Sequence, residues 1–381
     1  MKYSIIIPTY NNFEGLKKCL LSIEKYTDFS NAELIIVANG CSIETIDFLN
    51  NFSNSHSHVK VLFYENNIGY PKAINFGIKL SIGEYIILLN DDTELLEQIK
   101  NRWINELELP FQLSDKFGIS GPLKLFDTNT NYEFIVFFCA CIRRELFDKI
   151  GMLDAGFGVG SSEDIDFCIR AIKSGYLIAE TPINGERGSF PIHHKGEETV
   201  STLDNWDGIY QKNLELLKEK HPKIKLNLGC GNMILEGYVN IDLYNEKADM
   251  KCDISKLPFD DNSVDEVYSS HVIEHFDFMA AFDVFSEWKR VLKHGGMIIL
   301  ETIDMVASCK KFVESNEQER INLYSHFFSE PWIPGQIHKF LYTSVQMRWT
   351  LEQLGFKDIH QVRANRYIGK EDINMCFIGV K

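Results

Sequence analysis

The side chains best suited to chemistry in the first half of the chain gather in short segments. IILLNDDT ends a strongly apolar run with Asn90, Asp91 and Asp92. Carboxylates at a strand end can hold Mg2+ or Mn2+, hard cations that favour oxygen ligands and commonly bind a substrate's phosphates as well. A plain polar strand end is the competing reading. In SSEDIDFCIR, Glu163, Asp164 and Asp166 fall just before or within the first turn of a predicted helix, where the helix dipole favours anions. Ser161 or Ser162 could cap that helix, and an acidic N-terminus with a capping box would account for the pattern structurally. PIHHKGEE adds the adjacent His193 and His194, with Lys195 beside them. A histidine pair of this kind is equally compatible with a satisfied loop feature.

The second half carries a different signal. LNLGCGN follows a strand-like run and holds Gly229 and Gly231, which let a backbone approach a ligand closely. A dinucleotide fingerprint is disfavoured, because its third glycine would fall at Ile234 and the acidic strand end Asp242 comes too soon. His271 closes the strand-like VDEVYSSH. Its spacing to His275 could suggest metal ligation, but a helix cap among ordinary polar residues is the simpler reading.

These segments need elements to position them. SIIIPTY, ELIIVANG, HVKVLFYEN and EYIILLNDD read as strands separated by helical patterns, one of them with Leu16, Leu20 and Ile23 on one face and another led by Pro71 around Ala73 to Ile78. That alternation predicts βαβ units on a parallel sheet. Open sheets of this kind place ligands at the strand ends, where the polar segments lie. A second cycle starts near Ile224. It runs through KLNLGCGN, GYVNIDL, a segment ending CDI, a strand at Val264 to Ser270, a long helix toward Leu292 and GGMIILET. A helix near Gln346 to Leu354 and the strands FKDIHQV and MCFIGVK close it. Asn205 to His221 reads as an amphipathic helix stopped by Pro222. The expected organisation is an α/β domain over 1–204, a linker helix over 205–222 and a second α/β domain over 223–381.

Bulk properties narrow the partners. A chain of 381 residues suits two cores. A net charge of −15 argues against a general grip on nucleic acid, which depends on Lys and Arg neutralising phosphates. A few local donors, a helix N-terminus or a divalent cation can still hold a diphosphate in an acidic protein. Nine scattered cysteines without a CxxC pair suggest thiols in a reducing compartment. Pro8 interrupts the apolar N-terminus, and the Phe134 to Ile142 run falls short of the ~20 residues a bilayer requires. A cytoplasmic protein with no signal peptide or membrane span is expected.

From Met1 to about Thr202 the chain resembles family-2 glycosyltransferases of the GT-A fold. The matching segments are SIIIPTYNN, VANGC, NNIGYPKAINFG, GEYIILLNDD, IGMLDAGFGVGSSEDIDFCIRAIKSGY and HHKG. The resemblance implies that Pro8, Thr9 and Tyr10 line the nucleoside pocket, with Asn39 and Asp91 also at the donor site. Asp92 would contact metal and diphosphate, and Asn90 with His193 or His194 would complete the metal site. Asp164 would be the general base, with Glu163 beside it. Inverting transfer is a single in-line displacement, in which the acceptor hydroxyl loses its proton as the nucleotide diphosphate leaves. Many relatives carry Asp where this chain has Ala38 and Asn90. Asn90 can still coordinate through its carbonyl oxygen, though it weakens the electrostatic trap.

From about Lys225 to Lys381 the chain resembles class I S-adenosylmethionine-dependent methyltransferases of the polysaccharide-biosynthesis type, which have a Rossmann-like fold. LNLGCGN, EGYVNIDLY, CDISKLPFDDNSVDEVYSSHVIEHF, EWKRVLKHGGMIILE and LEQLGFKDI carry the match. It implies that Gly229 and Gly231 shape the cofactor loop, that Asp242 accepts from the ribose hydroxyls, and that Asp253 with Ile254 lies by the adenine. The sulfonium is already an excellent leaving group, so alignment does most of the work and a base only helps. His271 is the best placed candidate base, ahead of His275 and His338.

Together these resemblances imply a bifunctional glycan-modifying enzyme. It would use a nucleotide-sugar donor, a divalent cation (Mn2+ or Mg2+) and S-adenosylmethionine, with a glycan, glycolipid or glycoprotein as acceptor. A lipid-linked acceptor would bring it to the inner face of the membrane as a peripheral protein. The alternatives are a glycosyltransferase whose second domain no longer catalyses, and a non-enzymatic glycan- or nucleotide-binding scaffold.

Overall fold

The computed structural model describes residues 1–182, 188–196, 205–329, 336–364 and 372–381. Glu197 and Glu198 of PIHHKGEE, Thr202 and the expected boundary at 204 lie outside the described residues. The chain divides into two compact units, Met1–His221 and Pro222–Lys381, each of them α/β. Among the described residues no helix is long and apolar enough to cross a membrane.

The first unit is organised by strands whose sequences are apolar without interruption. All seven residues of β1 (Tyr3–Thr9) and all eight of β2 (Ala32–Asn39) are buried. Such runs require cover on both faces of the sheet. The two-residue period of the strands divides them: Ile5, Ile7, Leu34, Ile36, Ile87 and Leu89 enter one core, while Ile6, Ile35, Val37, Ile86 and Leu88 enter the other. Each fully buried Ile or Leu contributes roughly 1.5–3 kcal/mol of transfer free energy.

Between these strands lie α1 (Phe13–Tyr26) and α2 (Ile43–Ser55), followed by β3 (Val59–Tyr64), α3 (Tyr70–Leu80), β4 (Tyr85–Leu89), β5 (Thr93–Leu95) and α4 (Arg102–Leu113). The unit continues through β6 (Phe117–Gly121), β7 (Lys124–Asp127), β8 (Tyr132–Ile135), β9 (Cys139–Arg143), α5 (Arg144–Ile150), α6 (Glu163–Lys173), β10 (Leu177–Glu180), β11 (Ile192–His194) and α7 (Trp206–Lys220). The main sheet has the order β10-β6-β9-β4-β1-β2-β3. It is mixed rather than all parallel, because β9 runs antiparallel between β4 and β6. The apolar run Phe134 to Ile142 is therefore the end of β8, a turn and most of β9.

β1 has β2 on one side and β4 on the other, both parallel to it. The strand order reverses there, and the loops after β1 and β4 diverge to leave a crevice. The segment expected as a linker belongs to the first unit: α7 buries Asn213 and Leu217.

The second unit contains β12 (Lys225–Leu228), β13 (Val239–Ile241), β14 (Val264–Ser270), α8 (Phe278–Val291), β15 (Leu292–Ile303), α9 (Met305–Glu314), α10 (Glu317–Phe328), α11 (Ser344–Gln353), β16 (Lys357–Val362) and β17 (Asn374–Val380). Its sheet order is β13-β12-β14-β15-β17-β16, with β17 antiparallel to both neighbours. The segment ending CDI forms no strand. It makes one isolated bridge, Ile241 to Met250, and then turns where Asp253 Oδ1 accepts from the Ser255 amide and hydroxyl at 2.9 and 2.7 Å. Trp288, fully buried on α8, donates its indole N–H to the Ile254 carbonyl at 2.9 Å and so fixes this turn to the core. Lys293 reaches both oxygens of buried Asp265 at 2.8 Å, tying the start of β15 to β14.

Gly69 sets how closely α3 approaches the loop before α6. Its φ is +89°, and a Cβ there would lie 2.0 Å from the Gly158 carbonyl oxygen, a backbone atom that cannot swing away. Gly69→Ala is expected to destabilise the protein by at least about 2 kcal/mol through strain and collision. Denaturant unfolding measures this, and an unchanged midpoint would mean that the loop simply yields.

Candidate functional site

The crevice in the first unit is a cavity of about 310 Å3. Pro8, Thr9 and Tyr10 follow β1 into it, Asn39 ends β2, and Asn90 with Asp91 follows β4. Glu163 and Asp164 reach it from the first turn of α6, and His194 from β11. Residues more than 180 positions apart thus share one wall set.

The carboxylates are dry. Burial pushes the Asp91 carboxyl up to about 7, with the neighbouring Asp92 charge adding to the shift. The Asn12 amide, which also caps α1, donates to Asp91 at 3.2 Å and works against that shift. Burial raises Glu163 and Asp164 as well, and Asp164's charge raises Glu163 further. The backbone amide of Ile165 opposes this by donating to Asp164 at 2.8 Å. Neither serine before the helix caps it. Ser162 occupies the cap position at φ +69° with no side-chain cap bond, because the left-handed backbone turns its hydroxyl away.

Asp92 lies behind the cavity wall, its Oδ1 3.3 Å from His194 Nε2. The His194 ring is held flat against Phe138, with centroids 4.2 Å apart and planes at 4°. His193 does not join this group. It is the next residue on β11, pairs opposite Glu94 and is exposed, so strand alternation sends the two imidazoles to opposite faces.

Among the described residues no three His, Cys, Asp or Glu side chains form a metal cluster. Asp92, His194 and the Asn90 carbonyl nevertheless fit a Mg2+ or Mn2+ ion that takes its remaining ligands from a diphosphate and water, the usual arrangement for cations with few protein ligands. Asn90 Oδ1 is buried with no hydrogen-bond partner, as is Glu163 Oε2. A polar atom left so inside protein is costly unless a ligand meets it.

Sequence reasoning missed Asn67, Tyr70, Phe137, Phe138 and Trp206 on the cavity wall. Asn67 and Tyr70 sit inside NNIGYPKAINFG, where the motif signalled a site without saying which side chains face it. Trp206 gave no signal beyond an apolar helix position.

The second unit has its own cavity, about 800 Å3, at the ends of β12, β13 and β14. Gly229, Gly231, Asp242, Asp253, Ile254 and His271 all line it. Gly229 (φ +65°) leaves no space for a Cβ, which would lie 2.4 Å from Val272. Asp242 shapes the loop with both oxygens: Oδ2 accepts from Gly231 N at 2.9 Å, and Oδ1 from Tyr244 N and Asn245 N at 2.8 and 2.9 Å. The S-adenosylmethionine expected from sequence fits this chemistry, an acidic strand end beside glycines that expose backbone.

His271, at φ +55°, holds a backbone conformation unusual outside glycine, just past the end of β14. Its Nδ1 lies 3.0 Å from Glu274 Oε1, and Glu274 Oε2 accepts from Thr302 at 2.9 Å. Burial alone would raise Glu274, but the hydrogen bond from His271, with the charge its imidazole carries once protonated, holds it well below the carboxylate range. His275 also lines the cavity, and its ring lies 4.9 Å from that of His338.

Comparison with known proteins agrees with this division. The model of the glycosyl transferase family 2 matches residues 4–109, and that of a methyltransferase domain matches 226–300. A PGL/p-HBAD biosynthesis glycosyltransferase of Mycobacterium tuberculosis is 35% identical over 194 residues, 46% of this chain and 72% of that protein. The uncharacterized glycosyltransferase YwdF of Bacillus subtilis is 27% identical over 266 residues, 62% of this chain and 96% of that protein. Against two other relatives, one from Sinorhizobium fredii and one from Bacillus spizizenii, the chain spans 23% of their length. Among solved structures, S. aureus TarS 1-349 in complex with UDP-GlcNAc matches at TM-score 0.42 and 17% identity, covering 58% of this chain and 66% of that one. With a crevice at the strand ends of a mixed α/β sheet and a second unit matched by a methyltransferase model, this chain belongs to glycosyltransferase family 2 and carries a methyltransferase domain C-terminal to it in sequence.

Proposed function

We propose that the first unit transfers a sugar from a nucleotide-sugar donor to a glycan, glycolipid or glycoprotein acceptor with inversion, and that the second methylates a sugar hydroxyl. The observation that carries the first reading is that two acidic segments line one cavity: Asn90 and Asp91 after β4, with Asp92 behind them, and Glu163 and Asp164 at the start of α6. A displacement in line needs that division, with one side for the leaving diphosphate and one for the acceptor.

Asp164 is the general base. Its carboxylate accepts the acceptor's hydroxyl proton, and its dry setting makes it a stronger base than an exposed aspartate. Asp92 and His194, with the Asn90 carbonyl, would hold the divalent cation, which neutralises charge on the leaving diphosphate when bound. Pro8, Thr9, Tyr10 and Asn39 form the nucleoside side of the cavity. In the second unit the Asp242 loop and the Asp253–Ile254 turn would hold S-adenosylmethionine, whose sulfonium would supply the methyl group when bound. His271, oriented by Glu274, takes the acceptor proton.

Asp164→Asn is expected to lower transfer by about 1,000-fold, in the range lost with a general base, with donor affinity nearly unchanged. Nucleotide release and donor calorimetry on the same preparation check this, and full turnover would remove the assignment. The same variant gives a stability test. The native state holds the Asp164 proton more tightly than the unfolded chain does, so stability falls as pH rises from the ordinary aspartate value of about 4 through the raised native one. Asp164→Asn should therefore raise Tm by about 3 °C or more at pH 7.5, a gain that disappears at pH 4.

A donor panel with and without Mn2+ tests the metal. Asp92→Ala should remove the response to added cation, and metal-independent transfer by the wild type would sink that part. For the second unit, calorimetry should find S-adenosylmethionine binding that weakens by at least about 10-fold in Asp242→Ala, where three backbone amides lose their acceptor. No binding to the wild type would remove the methylation reading.

A further inference from the structure

The loop that delivers Glu163 and Asp164 is held in an unfavourable shape by a residue from outside every motif that points to the site. Between Phe157 and α6 the backbone takes left-handed φ values at Gly158 (+63°), Gly160 (+131°), Ser161 (+88°) and Ser162 (+69°). Two of these are serines, for which the conformation is strained. Within the loop the Gly160 amide donates to the Phe157 carbonyl at 3.2 Å, and Ser162 gives the helix no side-chain cap.

From outside, Tyr70 N donates to the Val159 carbonyl at 3.3 Å, and Asn213, on α7, makes the larger contribution. Its Nδ2 donates to the carbonyls of Phe157 at 2.9 Å, Gly160 at 2.8 Å and Ser161 at 3.2 Å. Two hydrogens serve three acceptors, so one is shared, and Asn213 itself is only 3% exposed. Removing that donor would cost the Gly160 and Ser161 carbonyls a hydrogen bond inside the protein. The same helix grips α6 again at its far end, where His221 Nε2 lies 2.9 Å from Asp166 Oδ1. Seven residues before Asn213, and so on the same face of the helix, Trp206 enters the cavity wall.

We propose that Asn213 is a positioning residue for sugar transfer: its amide fixes the Phe157–Ser162 loop so that the Asp164 carboxylate faces the acceptor side of the cavity. The assignment rests on Asp164 being the base. α7 lies well beyond the residues that match the glycosyltransferase family model, 4–109, yet it belongs to the working site of the first unit. The nucleoside and diphosphate side of the cavity is built by β1, β2 and β4, none of which Asn213 touches. A loss at Asn213 should therefore fall on the chemical step and spare donor binding.

The test uses the full chain with Asn213→Asp, which keeps the shape but cannot donate, and Asn213→Gln, which keeps the amide at a different reach. Asn213→Asp is expected to lower kcat by about 100-fold, the effect of moving a reacting group by ~1 Å, with donor Kd and KM within about 3-fold of wild type. Its kcat against pH should shift along the acid limb, because Asp164 changes surroundings, and Asn213→Gln should recover part of the rate. A wild-type kcat and pH profile in Asn213→Asp, with Asp164→Asn inactive, overturns the positioning role alone. An active Asp164→Asn overturns the base assignment and this proposal with it. If Asn213→Asp fails to bind donor or to unfold cooperatively, His221→Gln loosens the same helix at Asp166; a kcat loss of about 10-fold at unchanged donor Kd supports the proposal, and an unchanged kcat overturns it.

Discussion

Two carboxylates side by side in a dry cavity, Glu163 and Asp164, impose the central constraint on the first unit. Burial and mutual repulsion both oppose their charged forms, so the fold must hold them there against their own preference for water. The surrounding construction answers that need. The core on both sheet faces anchors the strands rigidly, α6 presents its first-turn amides to the acids, and α7 grips the loop that leads into them. Asp166, in the same first turn, shows the contrast. Burial would raise it too, but His221 and Arg170 hold it below the ordinary value, so it serves as a fixed anchor for the same helix.

Both units solve the placement problem in the same way. Apolar strands end together at one edge of a sheet, and the first polar residues past that edge become a site. In the first unit these are Tyr10, Asn39 and Asn90, after β1, β2 and β4; in the second they are Gly229, Asp242 and His271, after β12, β13 and β14. The reversal of strand order beside β1 and beside β12 opens the space between the loops. Strand identity fixes where a side chain emerges, and the loop decides which way it points.

That division explains what could be read from the residues alone. The strands β1 to β4 announced themselves through largely apolar runs, and the acidic strand end and the Glu163–Asp164 helix start were visible as local patterns. β6 to β10 were not: they are short, β6 and β9 find their partners non-locally, and the run Phe134 to Ile142 hides a turn among apolar residues. The helix α10 also went unread, since its apolar positions do not form a strong stripe. Within the site, adjacency misled at His193 and His194: a strand separates neighbours onto opposite faces, and only His194 turns toward Asp92. Asn213 carried no signal at all, because an asparagine in a helix has meaning only through the carbonyls it meets.

The two units treat a buried acid in opposite ways, and the difference bears on what each can do. Glu274 is as deeply buried as Glu163, but His271 and Thr302 occupy both of its oxygens and hold it as a carboxylate. It is a support, and the group it supports is the imidazole at the cavity. Glu163 has an oxygen with no partner, and its neighbour Asp164 faces the cavity directly. A carboxylate that is compensated orients something else, whereas one left uncompensated stays a strong base at a cost to stability. On the proposed reading, the methyl donor's sulfonium would be reactive already and ask mainly for orientation, so a supported imidazole would suffice in the second unit. Displacing a nucleotide diphosphate with a neutral hydroxyl would ask for more basicity, which the less compensated pair in the first unit would supply.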